Sequence, residues 1–181
     1  MRIISGSRRG QKLFEFEGMD IRPTTDRVRE SMFNLIMDFV YGASVLDLFG
    51  GSGALSFEAL SRGAEKSVIC DIEKQSLELI KRNAKALRFE DKITVKRIAA
   101  MDFLKESKES FDIIFLDPPY NKGFIRPVIN EITATDKLCE NGIIVLESDF
   151  VDEHGEFDGV EMLKQRKYGR SYITIYQRGV G

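Results

Sequence analysis

Two short stretches hold residue types that could do chemistry. One is Asp117-Pro118-Pro119-Tyr120, directly after the apolar run Asp112–Leu116. Two successive prolines stiffen a turn and fix the direction of the Pro118 carbonyl. A carboxylate beside that carbonyl offers two acceptors to the two hydrogens of one planar amino group. Such a nitrogen is a weak nucleophile while its lone pair is delocalised into a base or an amide. Holding both hydrogens favours localisation of the lone pair as attack proceeds, and Asp117 can take the proton that leaves. Tyr120 adds a flat face for stacking a base, a contact worth about 1–3 kcal/mol. The plainer alternative is a Pro-Pro turn with a structural tyrosine.

The other stretch is Val45-Leu46-Asp47-Leu48-Phe49-Gly50-Gly51-Ser52-Gly53. It reads as an apolar strand, an acid and three glycines that lead into a helix. Glycine permits positive φ and close approach of backbone to a ligand; a tight turn needing glycine only for packing is the alternative. A dinucleotide loop does not fit, because Ser56 stands where the last glycine of G-x-G-x-x-G belongs. Asp47 would repel a pyrophosphate but suits an ammonium group. Asp71, which ends the next apolar run, can accept the hydroxyls of a ribose. An amino acid joined to a nucleoside without phosphate satisfies both acids, and S-adenosylmethionine is that molecule.

Basic residues gather at the two ends. Residues 1–34 carry seven Lys/Arg against five Asp/Glu, residues 162–181 carry five against none, and the stretch between is acidic. The overall charge of −2 therefore says little about partners, and either end could meet a polyanion. Arg8, Arg9 and Lys12 sit in a glycine-rich opening, and Arg22 and Arg27 flank Pro23-Thr24-Thr25-Asp26. Each group reads either as solvated surface or as phosphate contact. Lys164, Arg166, Lys167 and Arg170 surround a late turn and could extend a positive rim.

These residues need elements to hold them. Residues 1–21 read as a β-ribbon outside the main core, and residues 22–181 as the main domain. Thr25 or Asp26 could cap a helix with apolar positions Val28, Met32, Leu35, Ile36 and Phe39. Strands are expected at Ser44–Leu48, Ser67–Cys70, Ile93–Lys96, Asp112–Leu116 and Gly142–Leu146. Helices are expected at about 53–62, 74–87, 99–105 and 124–133. This alternation predicts an α/β fold with a parallel sheet covered on both faces. Val160–Arg166 and Ser171–Tyr176 predict an antiparallel hairpin at one edge. Ligands of such sheets bind at the carboxyl ends of the strands, where both motifs fall.

At 181 residues, 43% of them hydrophobic, the chain is long enough for one real core. No stretch reaches the roughly 18 apolar residues of a membrane span, and no signal-peptide pattern opens the chain. Cys70 and Cys139 lack CxxC spacing; Cys70 reads as a buried thiol in a reducing cytosol. With one histidine, no metal site is expected. His154 reads as structural or surface.

Taken together, the motifs resemble the RsmD family of bacterial 16S ribosomal RNA guanine-N2 methyltransferases. Met1-Arg2-Ile3-Ile4-Ser5-Gly6, Arg9-Gly10, and Arg22 to Glu30 followed by Phe33-Asn34 are similar to its N-terminal signature. Asp47 to Gly53 resembles its cofactor loop, Asp71 its ribose acid and Asp117 to Tyr120 its catalytic tetrad. Tyr168-Gly169 resembles a late motif near its active site.

The resemblance implies a Rossmann-like class I fold with a seven-stranded, mostly parallel sheet, and methyl transfer from S-adenosylmethionine to guanine 966. It implies cofactor contacts from Asp47, Phe49, Gly50, Gly51, Gly53, Asp71, Ile72, Ala100 and Met101. Asp117, Pro118, Pro119 and Tyr120 would be catalytic. Arg8, Arg9, Lys12, Arg22 and Arg27 would meet RNA, and the partner would be 16S RNA in a 30S subunit or assembly intermediate. Cysteine usage points to a cytoplasmic enzyme, and the lack of a long apolar edge to a monomer. One position departs from the general methyltransferase pattern: Ala99 stands where an acid often meets the adenine, so either backbone at Ala99–Met101 or Asp102 must serve. Methylation of adenine N6 or cytosine N4 in DNA, and a non-catalytic nucleotide-binding assembly factor, are the rival readings.

Overall fold

A computed structural model describes residues 1–18, 24–119, 123–149 and 155–179. Tyr120, Arg22 and His154 lie outside the described residues.

Helix α1 (Asp26–Leu35) starts at Thr25, whose hydroxyl accepts a hydrogen bond from Val28 N at 3.3 Å. Thr25 is therefore the cap, not Asp26. The expected helix breaks at Ile36, which leaves the helical region, and resumes as the single turn α2 (Met37–Val40). There follow β1 (Ser44–Asp47), α3 (Ala54–Ser61), β2 (Lys66–Asp71), α4 (Lys74–Leu87), β3 (Ile93–Arg97) and α5 (Ala100–Glu106). The chain ends with β4 (Phe111–Leu116), α6 (Ile125–Ala134), β5 (Leu138–Ser148), β6 (Val160–Tyr168) and β7 (Ser171–Arg178). Strand β5 begins four residues earlier than Gly142, and its pairing with β4 shifts register between Phe111 and Ile113. Among the described residues no helix is long and apolar enough to cross a membrane.

The seven strands lie in the order β3-β2-β1-β4-β5-β7-β6, and β7 is antiparallel to both of its neighbours. Alternate side chains feed two cores, as the two-residue period of a strand requires. Val45, Ile113, Phe115, Ile143 and Val145 point to the side of α1, α3 and α4. Leu46, Leu48, Ile114, Leu116, Ile144 and Leu146 point to the side of α5 and α6. Strand order reverses between β1 and β4. The crevice beyond their carboxyl ends is where a ligand is expected in such a sheet.

The opening segment departs from expectation. It is a loop closed by one bridge, Arg2 to Lys12, and it is docked on the core. Ile3 and Leu13 are buried within the α1/α3/α4 core. Glu58 of α3, fully buried, accepts from Ile4 N at 2.9 Å and Ser5 N at 3.0 Å. Ser7 N reaches Ser61 O at 2.7 Å. At the segment's far end, Asn83 of α4 accepts from Phe14 N at 2.7 Å and donates to both Phe14 O and Ser52 O. One buried amide thus ties the segment to the glycine loop. Short apolar pairs look too sparse to pack when read along the chain; α3 supplies the partner groups that dock them.

Candidate active site

The glycine loop turns the chain from β1 into α3. Gly53 caps α3 at φ 80°, and a Cβ there would lie 2.6 Å from the Phe57 ring. Gly50 lies against Ile69, where a Cβ would come within 2.4 Å. Glycine at these two positions is required by conformation and by close packing. Asp71 secures the loop from the next strand: its Oδ2 accepts from Gly51 N at 2.8 Å and its Oδ1 from Glu73 N at 2.9 Å.

A cavity of about 260 Å³ opens beside the loop. Asp47, Phe49, Gly50 and Gly51 line it, together with Ser52 and Asp117. Its walls also include residues to which the sequence assigns no cofactor role: Met1, Thr24 and Arg29 from the N-terminal signature, and Glu15 and Phe16 from the docked segment. Gly53, Asp71, Ile72, Ala100 and Met101 are not in its walls. Gly53 shapes the loop, and the other four lie at the β2 and α5 tips. There Ile72 is exposed and Ile98 N donates to Asp71 O. Ala99 caps α5 with no side-chain bond, and Asp102 is exposed in the first turn.

Asp47 is buried. Its Oδ2 accepts from the Ser56 hydroxyl at 3.1 Å, and Ser67 supports Ser56 at 2.9 Å. Among the described residues its Oδ1 has no hydrogen-bond partner. Burial pushes the Asp47 carboxyl up to about 7, with a smaller push from Asp71, against the Ser56 hydroxyl and the Phe49 N–H. Such a group readily takes a cation.

Asp117 stands one residue beyond β4. Leu116 pairs with Leu146, so Asp117 comes out of β4 beside Glu147 near the end of β5. The hydroxyl of Thr24 donates to Glu147 Oε2 at 2.6 Å. Burial holds the Asp117 carboxyl well above the usual carboxylate range. Glu147 and then Asp47 add to the shift, and the nearby Thr24 hydroxyl opposes it. Two carboxylates this close disfavour double ionisation. Glu147 has no local signal in the sequence: it follows the apolar run Ile143–Leu146 like any strand-end acid. Beyond Asp117, Pro118 is buried and Pro119 exposed. Phe124, at the start of α6, pairs with Phe49 at 5.8 Å between ring centroids.

The basic residues separate. Arg8 is committed within the protein: its Nε donates to Leu87 O at 2.6 Å, and its guanidinium lies 5.1 Å from the Phe89 centroid. Arg9, Lys12 and Arg27 are exposed. Cys70 is buried as expected, its thiol pushed up to about 12, chiefly by burial. Among the described residues no group of three or more His, Cys, Asp or Glu side chains could hold a metal ion.

Residues 1–177 match the family model described as conserved hypothetical protein 95. YlbH of Bacillus subtilis is 37% identical over 98% of this chain and 99% of its own. The Haemophilus influenzae protein named ribosomal RNA small subunit methyltransferase D is 33% identical, over 98% of this chain and 93% of its own. The solved structure of yhhF from Escherichia coli superimposes with a TM-score of 0.89 at 32% identity, over 98% of this chain and 97% of that one.

Proposed function

The chain belongs to that family, the RsmD family its motifs resemble, and from that premise we propose that it methylates the exocyclic N2 of a guanine in small-subunit ribosomal RNA. The observation that carries the reading is one cavity lined by both Asp117 and Asp47, the latter with a buried Oδ1 that has no hydrogen-bond partner among the described residues. An acceptor for an amino group and a receptor for an ammonium group thus share one space.

S-adenosylmethionine fits this donor set, and when bound it supplies an electrophilic methyl group. Asp47 would take its ammonium. Asp71 and Ile72 would meet the ribose and adenine, with the backbone at Ala100 and Met101. Phe49, Gly50, Gly51 and Gly53 form the wall and the turn along which it lies. Asp117 and the Pro118 carbonyl would accept the two hydrogens of the guanine amino group. Asp117 then takes the proton that nitrogen loses; burial and the neighbouring Glu147 favour its protonated form. Pro119 and Tyr120 would border the base. Alignment of the two reactants and exclusion of water are the protein's main contributions. The base must leave any stack to enter.

RNA would approach the carboxyl edge of the sheet. Ser148 pairs with Tyr172, and Lys167 with the same residue, so the Gly169-Arg170 turn lies at that edge. Lys164, Arg166, Lys167 and Arg170 are all exposed there or along β6. Arg9, Lys12 and Arg27 would contribute secondary contacts, while Arg8 acts inside the fold. The lysines and arginines of the edge strand β6 oppose strand-to-strand pairing, which supports a monomer acting on a 30S particle.

The test is transfer from labelled S-adenosylmethionine to 30S particles from cells lacking the enzyme, with the modified base identified by mass. N2-methylguanine in the small-subunit RNA is the expected product. Label in DNA adenine or cytosine, or in neither nucleic acid, would replace the reading with one of its rivals.

A further inference from the structure

Three buried side-chain atoms among the described residues have no hydrogen-bond partner: Asp47 Oδ1, Arg29 Nε and Arg29 Nη1. Unpaired buried polar atoms are uncommon and call for an explanation. These belong to two oppositely charged residues that line the same cavity. We infer that Arg29 receives the carboxylate of the cofactor's amino-acid end, opposite Asp47 on the ammonium, so that the cavity recognises a zwitterion. The inference rests on the reading of this cavity as the S-adenosylmethionine site.

The guanidinium is held through Nη2 and leaves Nη1 without a partner among the described residues. Nη2 donates to Asp26 Oδ1 at 3.0 Å and to Arg2 O. Nε lies 3.7 Å from Glu58 Oε2, an ion pair without a hydrogen bond. Glu58 spends its acceptors on Ile4 N, Ser5 N and Arg62 Nε. The group is planar and rigid, so fixing two nitrogens fixes the third. Nη1 is the remaining donor, and a carboxylate is its natural partner. A phosphate is disfavoured, because Asp47 shares the cavity. The neighbouring arginine on α1 does not compete: Arg27 is two residues away, about 200° around the helix, and is exposed.

Arg29 also braces α1 against the docked segment, so a substitution there can destabilise the protein. The decisive comparison therefore uses the unaltered protein. Calorimetry measures S-adenosylmethionine against its decarboxylated form, which keeps the ammonium and sulfonium and lacks only the carboxylate. The decarboxylated ligand is expected to bind at least tenfold more weakly. Arg29→Gln, checked for folding by thermal unfolding, should lose that discrimination and bind both ligands with similar, weak affinity. Arg29→Lys should retain part of it. Equal affinity of the two ligands for the unaltered protein would overturn the assignment while leaving the cofactor site in place. A folded Arg29→Gln that still discriminates would overturn it as well. Failure of S-adenosylmethionine itself to bind would overturn the parent reading, and this one with it.

Discussion

Asp47 shows how one side chain couples stability to binding. Its folded-state value is raised from 3.8 to about 7. The stability it contributes is therefore fully present below about pH 3.8 and lost as pH rises through about 7. A bound ammonium reverses this by favouring the carboxylate. Cofactor affinity should therefore fall as pH drops below 7, by up to tenfold per pH unit. Calorimetry in buffers of different ionisation enthalpy should detect proton release on binding. Asp47→Asn should flatten that pH dependence, weaken binding, and leave the free protein more stable than the parent at pH 8. Asp117 separates binding from chemistry. Asp117→Ala should keep S-adenosylmethionine affinity and lose most single-turnover activity, and Asp117→Asn should keep part of it, because an amide oxygen still accepts. A wild-type rate in the alanine variant would reduce the tetrad to a turn.

At the scale of elements, the docking of the opening segment on α3 decides whether the cavity has its outer wall. Glu58 anchors it. Its carboxylate is buried and gathers two backbone N–H groups and two arginines. Glu58→Ala should cost about 3–5 kcal/mol, as removal of one partner from a buried ion pair does. Denaturant titration measures that cost. Gly6→Ala is a subtler probe. Gly6 has φ +85°, and a Cβ would fall 1.8 Å from Ser61 O, a backbone atom that cannot rotate away. The expected destabilisation is about 2 kcal/mol, with weaker cofactor binding, because Glu15 and Phe16 are displaced from the wall. Unchanged affinity in a folded Gly6→Ala would show that the cavity forms without the segment.

At the scale of the molecule, the two basic ends sit at different edges of the sheet. Helix α3 returns from the carboxyl edge to the amino edge, and Ser7 and Arg8 bond to Ser61 at its end. The Arg8-Arg9 tip is therefore at the amino edge, away from Asp117. The β6–β7 turn is at the carboxyl edge, beside Glu147. Replacing Lys167 and Arg170 with alanine should weaken binding to 30S particles. It should also reduce the log–log salt slope by roughly 0.7–0.9 for each phosphate the protein no longer neutralises. Replacing Arg9 and Lys12 should have the smaller effect. Arg8→Ala should lower thermal stability and leave the slope unchanged. A larger slope change from Arg9 and Lys12 would move the RNA path to the amino edge.

What the sequence determined alone is what depends on local backbone chemistry. Glycines that must reach positive φ, prolines that stiffen a turn, and apolar runs of period 2 or 3.6 announce themselves where they stand. The loop at Asp47–Gly53 and the strand–helix alternation are legible for that reason. Tertiary structure decided the rest, because desolvation and charge pairing act between residues far apart in the chain. Arg22, Arg27 and Arg29 are equivalent as letters. The phase of α1 and the acid on α3 bury Arg29 against the cavity and leave Arg27 in solvent. Arg8 reads as free for phosphate until Leu87 and Phe89 close on it. Glu147 becomes a partner of Asp117 only through the register of β4 on β5, which no single strand records.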